Sequence, residues 1–212
     1  MKVYTFFTDS HKELLDIFLK NFPHHQDVEL NIKWFPQECK SGSYMTDGWT
    51  STMKRKVEYI LQSLEETPEG QWFVHSDCDI VLFDGWLDIL ERNKNQVDMM
   101  IQNDHTMLCA GFFFCKSSVW TKLLWGKVLK DLDKFEHDQI AMNHFINQMH
   151  ELKVGVLPDS YFTYGYFKKD KWNGDDFEIP NIKDLKMFHA NWTEGTDNKI
   201  KLINKVIQYK NV

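Results

Sequence analysis

Apolar positions along the first half of this chain fall into runs that alternate between strand-like and helix-like spacing. Val3 to Thr8 (VYTFFT) is rich in β-branched and aromatic residues and predicts a buried strand. Thr8-Asp9-Ser10 can cap the next helix, where Leu14, Leu15, Phe18, Leu19 and Phe22 recur at helical spacing until Pro23. Val28 to Phe35 alternates apolar and polar residues and predicts a second strand. Pro36 to Gly48 is polar and turn-rich, a long loop of the kind that often carries function. Met53, Val57, Ile60, Leu61 and Leu64 mark one face of a second helix, and Pro68-Glu69-Gly70 ends the connection after it.

Trp72-Phe73-Val74 predicts a buried strand, His75 to Asp79 (HSDCD) an acidic turn, and Ile80 to Phe83 (IVLF) a short apolar strand. Asp84 and Gly85 precede a short helix, and Val97 to Ile101 predicts a strand. Ala110 to Cys115 (AGFFFC) predicts a strand that is apolar on both faces. Ser117 to Leu132 is an amphipathic helix through Val119, Trp120, Leu123, Leu124 and Val128, and Asp138 to Met149 is another helix. Val154 to Leu157 predicts a strand that stops at Pro158. Tyr161 to Asp176 is aromatic and polar without a clear period. Lys186 to Phe188 predicts a last strand leading into His189-Ala190-Asn191-Trp192, and Ile200, Ile203, Val206 and Ile207 mark a closing helix. Strands alternating with helices predict a Rossmann-type layered α/β/α architecture with a mostly parallel central sheet. The chain shows no repeat, low-complexity segment or linker, so residues 1–212 are expected to form a single domain.

Composition narrows the function classes. The chain is 42% hydrophobic and 26% charged, as ordinary globular proteins are. Aromatics reach 15%, which fits a bulky core and also rings that line a sugar groove. A net charge of −6 argues against the basic face of a nucleic-acid binder and suits a site that collects a divalent cation. No apolar run approaches the roughly 18 residues of a membrane span. The opening residues carry charge too early for a secretory leader. Cys39, Cys78, Cys109 and Cys115 form no C-x-x-C pair, so free thiols in a reducing, cytoplasmic compartment are expected. His105, Cys109 and Cys115 match no common zinc spacing, and the sequon at Asn191-Trp192-Thr193 is then incidental.

The candidate chemistry centres on Asp77-x-Asp79, at the end of a predicted buried strand. Ligands of open α/β sheets bind beyond the carboxyl ends of strands. Two carboxylates around one turn can converge on a hard cation such as manganese or magnesium, which can bridge two phosphates. Any D-x-D pair can also be surface or capping carboxylates; the apolar strands on both sides here favour the cation. Asp77-x-Asp79-x-Val81-Leu82 also resembles the first motif of haloacid-dehalogenase-type phosphatases, with Asp77 as nucleophile and Asp175-Asp176 as a second acidic motif. Against that reading, two strand–helix units precede the motif, His75 and Ser76 interrupt the apolar run before it, and no apolar strand precedes Asp175.

The order D-x-D, a G-F-F-x-C-like strand at Gly111, Asp138-Gln139 on a helix, then H-x-N-x-T-x-G from His189 resembles GT-A-fold glycosyltransferases of the nucleotide-diphospho-sugar transferase group. The likeness runs from Val3 to about Leu202. It implies a GT-A-like fold and transfer of a sugar from a nucleotide diphosphate, with uridine as the expected base, to a glycan or other hydroxyl acceptor, with retention. It implies that Thr8 and Asp9 contact the uracil and ribose, that Lys56 lies near the donor, and that Asp77 faces the ribose and the metal. Asp79 and His189 become metal ligands, with manganese or magnesium as the ion, and Lys199 neutralises the diphosphate. Gly111 lets the backbone approach the sugar, and Asp138 and Gln139 hold donor-sugar hydroxyls near the reacting carbon. Trp192, Tyr161 and Tyr164 are candidates for stacking on sugars. A binding module without turnover is the non-enzymatic alternative.

Overall fold

In the inner strands of the central sheet the alternating side chains are buried on both faces, so other layers of structure must cover both sides of it. The computed structural model describes residues 1–39, 47–164, 172, 174, 179 and 181–210. The strands are β1 (Lys2–Phe7), β2 (Glu29–Trp34), β3 (Trp72–Ser76), β4 (Ile80–Leu82), β5 (Met99–Asn103), β6 (Leu108–Lys116), β7 (Val154–Val156), β8 (Tyr161–Thr163) and β9 (Met187–His189). The helices are α1 (Lys12–Lys20), α2 (Trp49–Glu66), α3 (Asp88–Asn93), α4 (Val119–Asp131), α5 (Asp138–Ile146) and α6 (Thr196–Lys210). None of the described helices is long and apolar enough to cross a membrane.

The central sheet has the order β2-β1-β3-β6-β5-β7, and β6 is the strand that runs against its neighbours. Tyr4, Phe73 and Phe113 face α2, α4 and α5, while Val3, Val74, Phe112 and Phe114 face the opposite layer. This alternation explains why the Phe112-Phe113-Phe114 run is wholly buried. The opposite layer holds a second sheet, β4-β9-β8, on which α1 and α6 pack through Leu14, Phe18, Leu202 and Val206.

Two local differences from the sequence pattern bear on function. β3 continues through His75 and Ser76, so both belong to the strand rather than to the acidic turn, and His75 is fully buried between the rings of Phe6 and Phe113. β8 forms where no period was legible, because three residues are too few to show one. The second acidic pair, Asp175-Asp176, lies outside the described residues.

The passage from one sheet to the other creates the site. The chain leaves the central sheet at Ser76 and enters the small sheet at Ile80, so Asp77 to Asp79 form the hinge between them. In the small sheet Ile80 pairs with His189, and Ala190 donates its backbone N–H to the Asp79 carbonyl at 3.0 Å. That register sets His189 beside Asp79 although 110 residues separate them in sequence.

Candidate active site

A cavity of about 790 Å³ opens beyond the carboxyl ends of β1 and β3, large enough for a nucleotide-sized ligand. Asp77, Asp79 and His189 each present a ligand atom, and these atoms lie within 4.8 Å of one another. His189 Nε2 is 3.3 Å from Asp79 Oδ1, and Lys199 Nζ donates to Asp79 Oδ2 at 2.5 Å. Burial works against a charged Asp79, but the Lys199 ammonium and His189 outweigh it and hold the carboxyl well below the usual carboxylate range. Burial likewise opposes a charged Lys199, yet Asp79 raises its pKa overall.

Lys56 sits on the buried face of α2, unlike the exposed Lys54 beside it. Its Nζ donates to Asp77 Oδ2 at 3.0 Å and lies 3.5 Å from Asp138 Oδ2. Desolvation disfavours this buried ammonium, but Asp77 and Asp138 more than compensate and push its pKa up. Asp77 is held below the usual range because Lys56 and His75 outweigh its desolvation. Asp138 opens α5 as its first helical residue, with His137 in the capping position.

Gln139 is engaged at both ends of its amide. Its Oε1 accepts from Ala110 N at 3.2 Å and its Nε2 donates to Asp104 Oδ2 at 2.7 Å. Asp104 also accepts from Trp192 Nε1 at 3.4 Å, while its buried Oδ1 has no hydrogen-bond partner. Trp192 holds a φ of 52°, rare for a bulky side chain, as its indole meets Asp104. Gly111 lies directly behind the acidic cluster: a Cβ there would come within 2.4 Å of His189 Cε1 and 2.9 Å of Asp77 Oδ2.

Of the residues picked out from sequence, Thr8, Lys56, Asp77, Asp79, Gly111, Asp138, Gln139, His189 and Lys199 all line this one cavity, as does Trp192. Asp9 does not line it: its carboxylate is exposed and accepts from Trp34 Nε1 at 2.9 Å. Tyr161 and Tyr164 are core residues, Tyr161 donating its hydroxyl to the Trp86 carbonyl and Tyr164 packing on Trp172. The four cysteines are buried and none of them is in a disulfide. Among the described residues, Asp77, Asp79 and His189 form the group placed to share an ion, and His105, Cys109 and Cys115 do not. Asp104 and His11, which also line the cavity, were not legible in sequence, since nothing local distinguishes them.

The donor set fits a divalent cation. Two carboxylates and an imidazole suit manganese or magnesium. Asp77 Oδ1 is buried without a hydrogen-bond partner, His75 Nε2 standing 3.4 Å away. Carboxylates also outnumber ammonium groups among the lining residues, a charge imbalance that a cation would correct.

The family model described as nucleotide-diphospho-sugar transferase matches residues 15–203. None of the curated proteins matches the chain by sequence. Among solved structures, a glycosyltransferase involved in glycosylation of the major capsid of PBCV-1 superposes with a TM-score of 0.57 at 12% identity, over 96% of this chain and 98% of that one. The galactosyltransferase LgtC, solved with donor and acceptor sugar analogs, gives a TM-score of 0.55 at 10% identity, over 90% and 87%. The glycosyltransferase GlyE of Streptococcus pneumoniae TIGR4 gives 0.59 at 12% identity, and this chain spans 59% of its length. At these identities the likenesses establish a shared GT-A fold.

Proposed function

Because the chain belongs to the nucleotide-diphospho-sugar transferase family and is thus a glycosyltransferase, we propose that its cavity moves a sugar from a uridine diphosphate donor to a hydroxyl acceptor, in a metal-dependent reaction with retention. The observation that carries this reading is the convergence of Asp77, Asp79 and His189 at one point of the cavity, with Lys199 and Lys56 against the two carboxylates. Asp77, Asp79 and His189 would hold the cation, which when bound supplies charge stabilisation to the diphosphate.

The chain's own groups account for the rest. Lys199 can pass from Asp79 to a phosphate oxygen, adding a charge-assisted hydrogen bond as negative charge grows on the leaving diphosphate. Lys56 fixes Asp77 and Asp138 relative to each other, so the donor end and the sugar end of the site are set by one ammonium. Asp138 and Gln139 face the sugar. With both ends of its amide bonded, Gln139 positions rather than attacks. In a front-face displacement the bond from the anomeric carbon to the diphosphate oxygen breaks, the acceptor oxygen bonds to that carbon from the same side, and the acceptor proton passes to the departing diphosphate. Thr8 and His11 line the cavity beside the acidic cluster and are assigned to the nucleoside.

One observation favours a second reading of the stereochemistry. Asp104 Oδ1 is buried, unpartnered and on the cavity wall, as a base for an inverting displacement would be. The anomeric configuration of the product, read by NMR, decides between the two.

The donor assignment is tested by thermal melting with UDP, GDP and dTDP, each with and without manganese, on wild type and Asp79→Ala. A ligand at about 100 times its Kd adds roughly 2.7 kcal/mol, a shift on the order of 5–10 °C for a chain of this size. Stabilisation by UDP that needs both manganese and Asp79 supports the reading. No nucleotide shift in any combination overturns it and returns attention to phosphatase chemistry at Asp77.

A further inference from the structure

Gln102 is fully buried although its side chain ends in a polar amide. It follows a shift in register, the partner on β6 stepping from Phe113 at Ile101 to Cys109 at Gln102. Such irregularities re-aim side chains, and opposite this one the Gln102 carboxamide is directed at His189. Gln102 Oε1 lies 2.9 Å from His189 Nδ1. Its Nε2 faces the Tyr161 carbonyl at 3.3 Å and the Met187 sulfur at 3.9 Å.

These contacts fix proton positions by elimination. A backbone carbonyl can only accept, so the NH₂ end of Gln102 must face Tyr161. The oxygen end then faces His189, and an amide oxygen can only accept, so His189 Nδ1 must carry a hydrogen. In the neutral ring Nε2 is therefore the bare nitrogen, and it is Nε2 that stands 3.3 Å from Asp79 Oδ1. Cys109 Sγ also approaches Nδ1, but at 3.7 Å and with burial raising its thiol pKa, so it competes poorly as an acceptor.

We propose that Gln102 is a positioning residue of the metal centre: it locks His189 as the Nδ1–H tautomer and aims the Nε2 lone pair at the cation shared with Asp77 and Asp79. The inference rests on the metal-dependent reading above. A partner on the far nitrogen of a ligating histidine sets both ring orientation and basicity, and its loss typically costs about 10- to 100-fold in metal affinity. The chain of contacts runs from the Tyr161 carbonyl on β8 through β5 to β9, so the second sheet contributes to the site beyond supplying His189 itself.

Manganese binding, followed by calorimetry and by the paramagnetic resonance of free Mn²⁺, tests this on wild type, Gln102→Met, Gln102→Glu and Asp79→Ala without nucleotide. Gln102→Met keeps the side chain's length and removes the acceptor; it is expected to bind about 10- to 100-fold more weakly. Gln102→Glu restores an acceptor and is expected to stay within a few-fold of wild type. Histidine-labelled wild type should show the Nδ1–H tautomer for the neutral His189 ring in long-range ¹H–¹⁵N spectra, assigned with His189→Gln, and this holds the test open should Gln102→Met fail to fold. Wild-type affinity in Gln102→Met, a Gln102→Glu protein as weak as Gln102→Met, or an Nε2–H tautomer overturns the proposal. Manganese binding absent from wild type removes the metal reading itself, and this inference with it.

Discussion

Lys199 and Asp79 stand 120 residues apart in sequence and 2.5 Å apart in space, on the carboxylate oxygen opposite the one that faces His189. An ammonium in that position neutralises Asp79 and also competes with a cation for it. The two roles separate in Lys199→Met. UDP affinity in the presence of manganese should fall about 10- to 150-fold, the equivalent of the roughly 1.5–3 kcal/mol of a hydrogen bond to a charged group. Affinity for manganese alone should hold or rise, because a competitor has gone. Calorimetric titration reads both; unchanged UDP affinity would remove Lys199 from the diphosphate site.

Gly111 leaves just enough room for the His189 ring, since an added Cβ would meet Cε1 at 2.4 Å. That neighbour is a ring pinned by Gln102, not the loose end of a flexible chain. Gly111→Ala should therefore cost about 1–3 kcal/mol from overpacking and weaken manganese binding as well. Chemical denaturation and manganese titration check the two effects. A stable Gly111→Ala protein with normal manganese affinity would show that the ring can move aside.

The parts of this site that were legible in sequence are those encoded locally. Asp77 and Asp79 share a turn between two apolar runs, and the layered α/β order follows from hydrophobic spacing. Lys56 could be read as a solvated lysine or as a donor-site residue, because burial of one lysine in a Lys-Arg-Lys run depends on which face α2 presents. Gln102 and Asp104 left no local signal. Their importance comes from the register shift between β5 and β6 and from contacts with Gln139, His189 and Trp192, all of them 35 or more residues away. His75 broke an apolar run and so suggested a turn, but the strand keeps it, stacked 5.1 Å from the Phe113 ring.

Lys56 carries the charge opposite two carboxylates, Asp138 buried and Asp77 partly buried. Its removal in Lys56→Met leaves Asp77 and Asp138 facing each other without a cation, and breaking a buried pair from one side costs about 3–5 kcal/mol. For a chain of this size the melting temperature should drop by roughly 6–20 °C. Arg55→Met, next door but only half-buried and paired with Glu38, should change stability by less than about 1 kcal/mol. A Lys56→Met protein that melts with wild type would mean that one of the two carboxyls takes up a proton at no cost.

The same buried charges predict how stability falls with acid, and the two histidine and aspartate contributions separate by pH. Burial lowers the His75 pKa below its ordinary value. The unfolded chain then binds a proton at this residue before the folded one does, so stability is lost as pH drops below about 6.5. Asp79 is held well below the carboxylate range despite its burial, by Lys199 and His189. Its stabilisation is complete above roughly pH 5 and drains away as pH falls through the unfolded value of about 3.9 towards the folded value. Melting temperature measured with a chelator present should therefore decline in two stages between pH 7.5 and 3. His75→Gln should make the upper stage shallower, the burial-lowered His11 and His137 still contributing, and leave the lower, whereas Asp79→Asn should make the lower stage shallower, Asp77 still contributing, and leave the upper. If His75→Gln leaves the upper stage untouched, His75 is not the group that resists protonation there, and its place between Phe6 and Phe113 is purely one of packing.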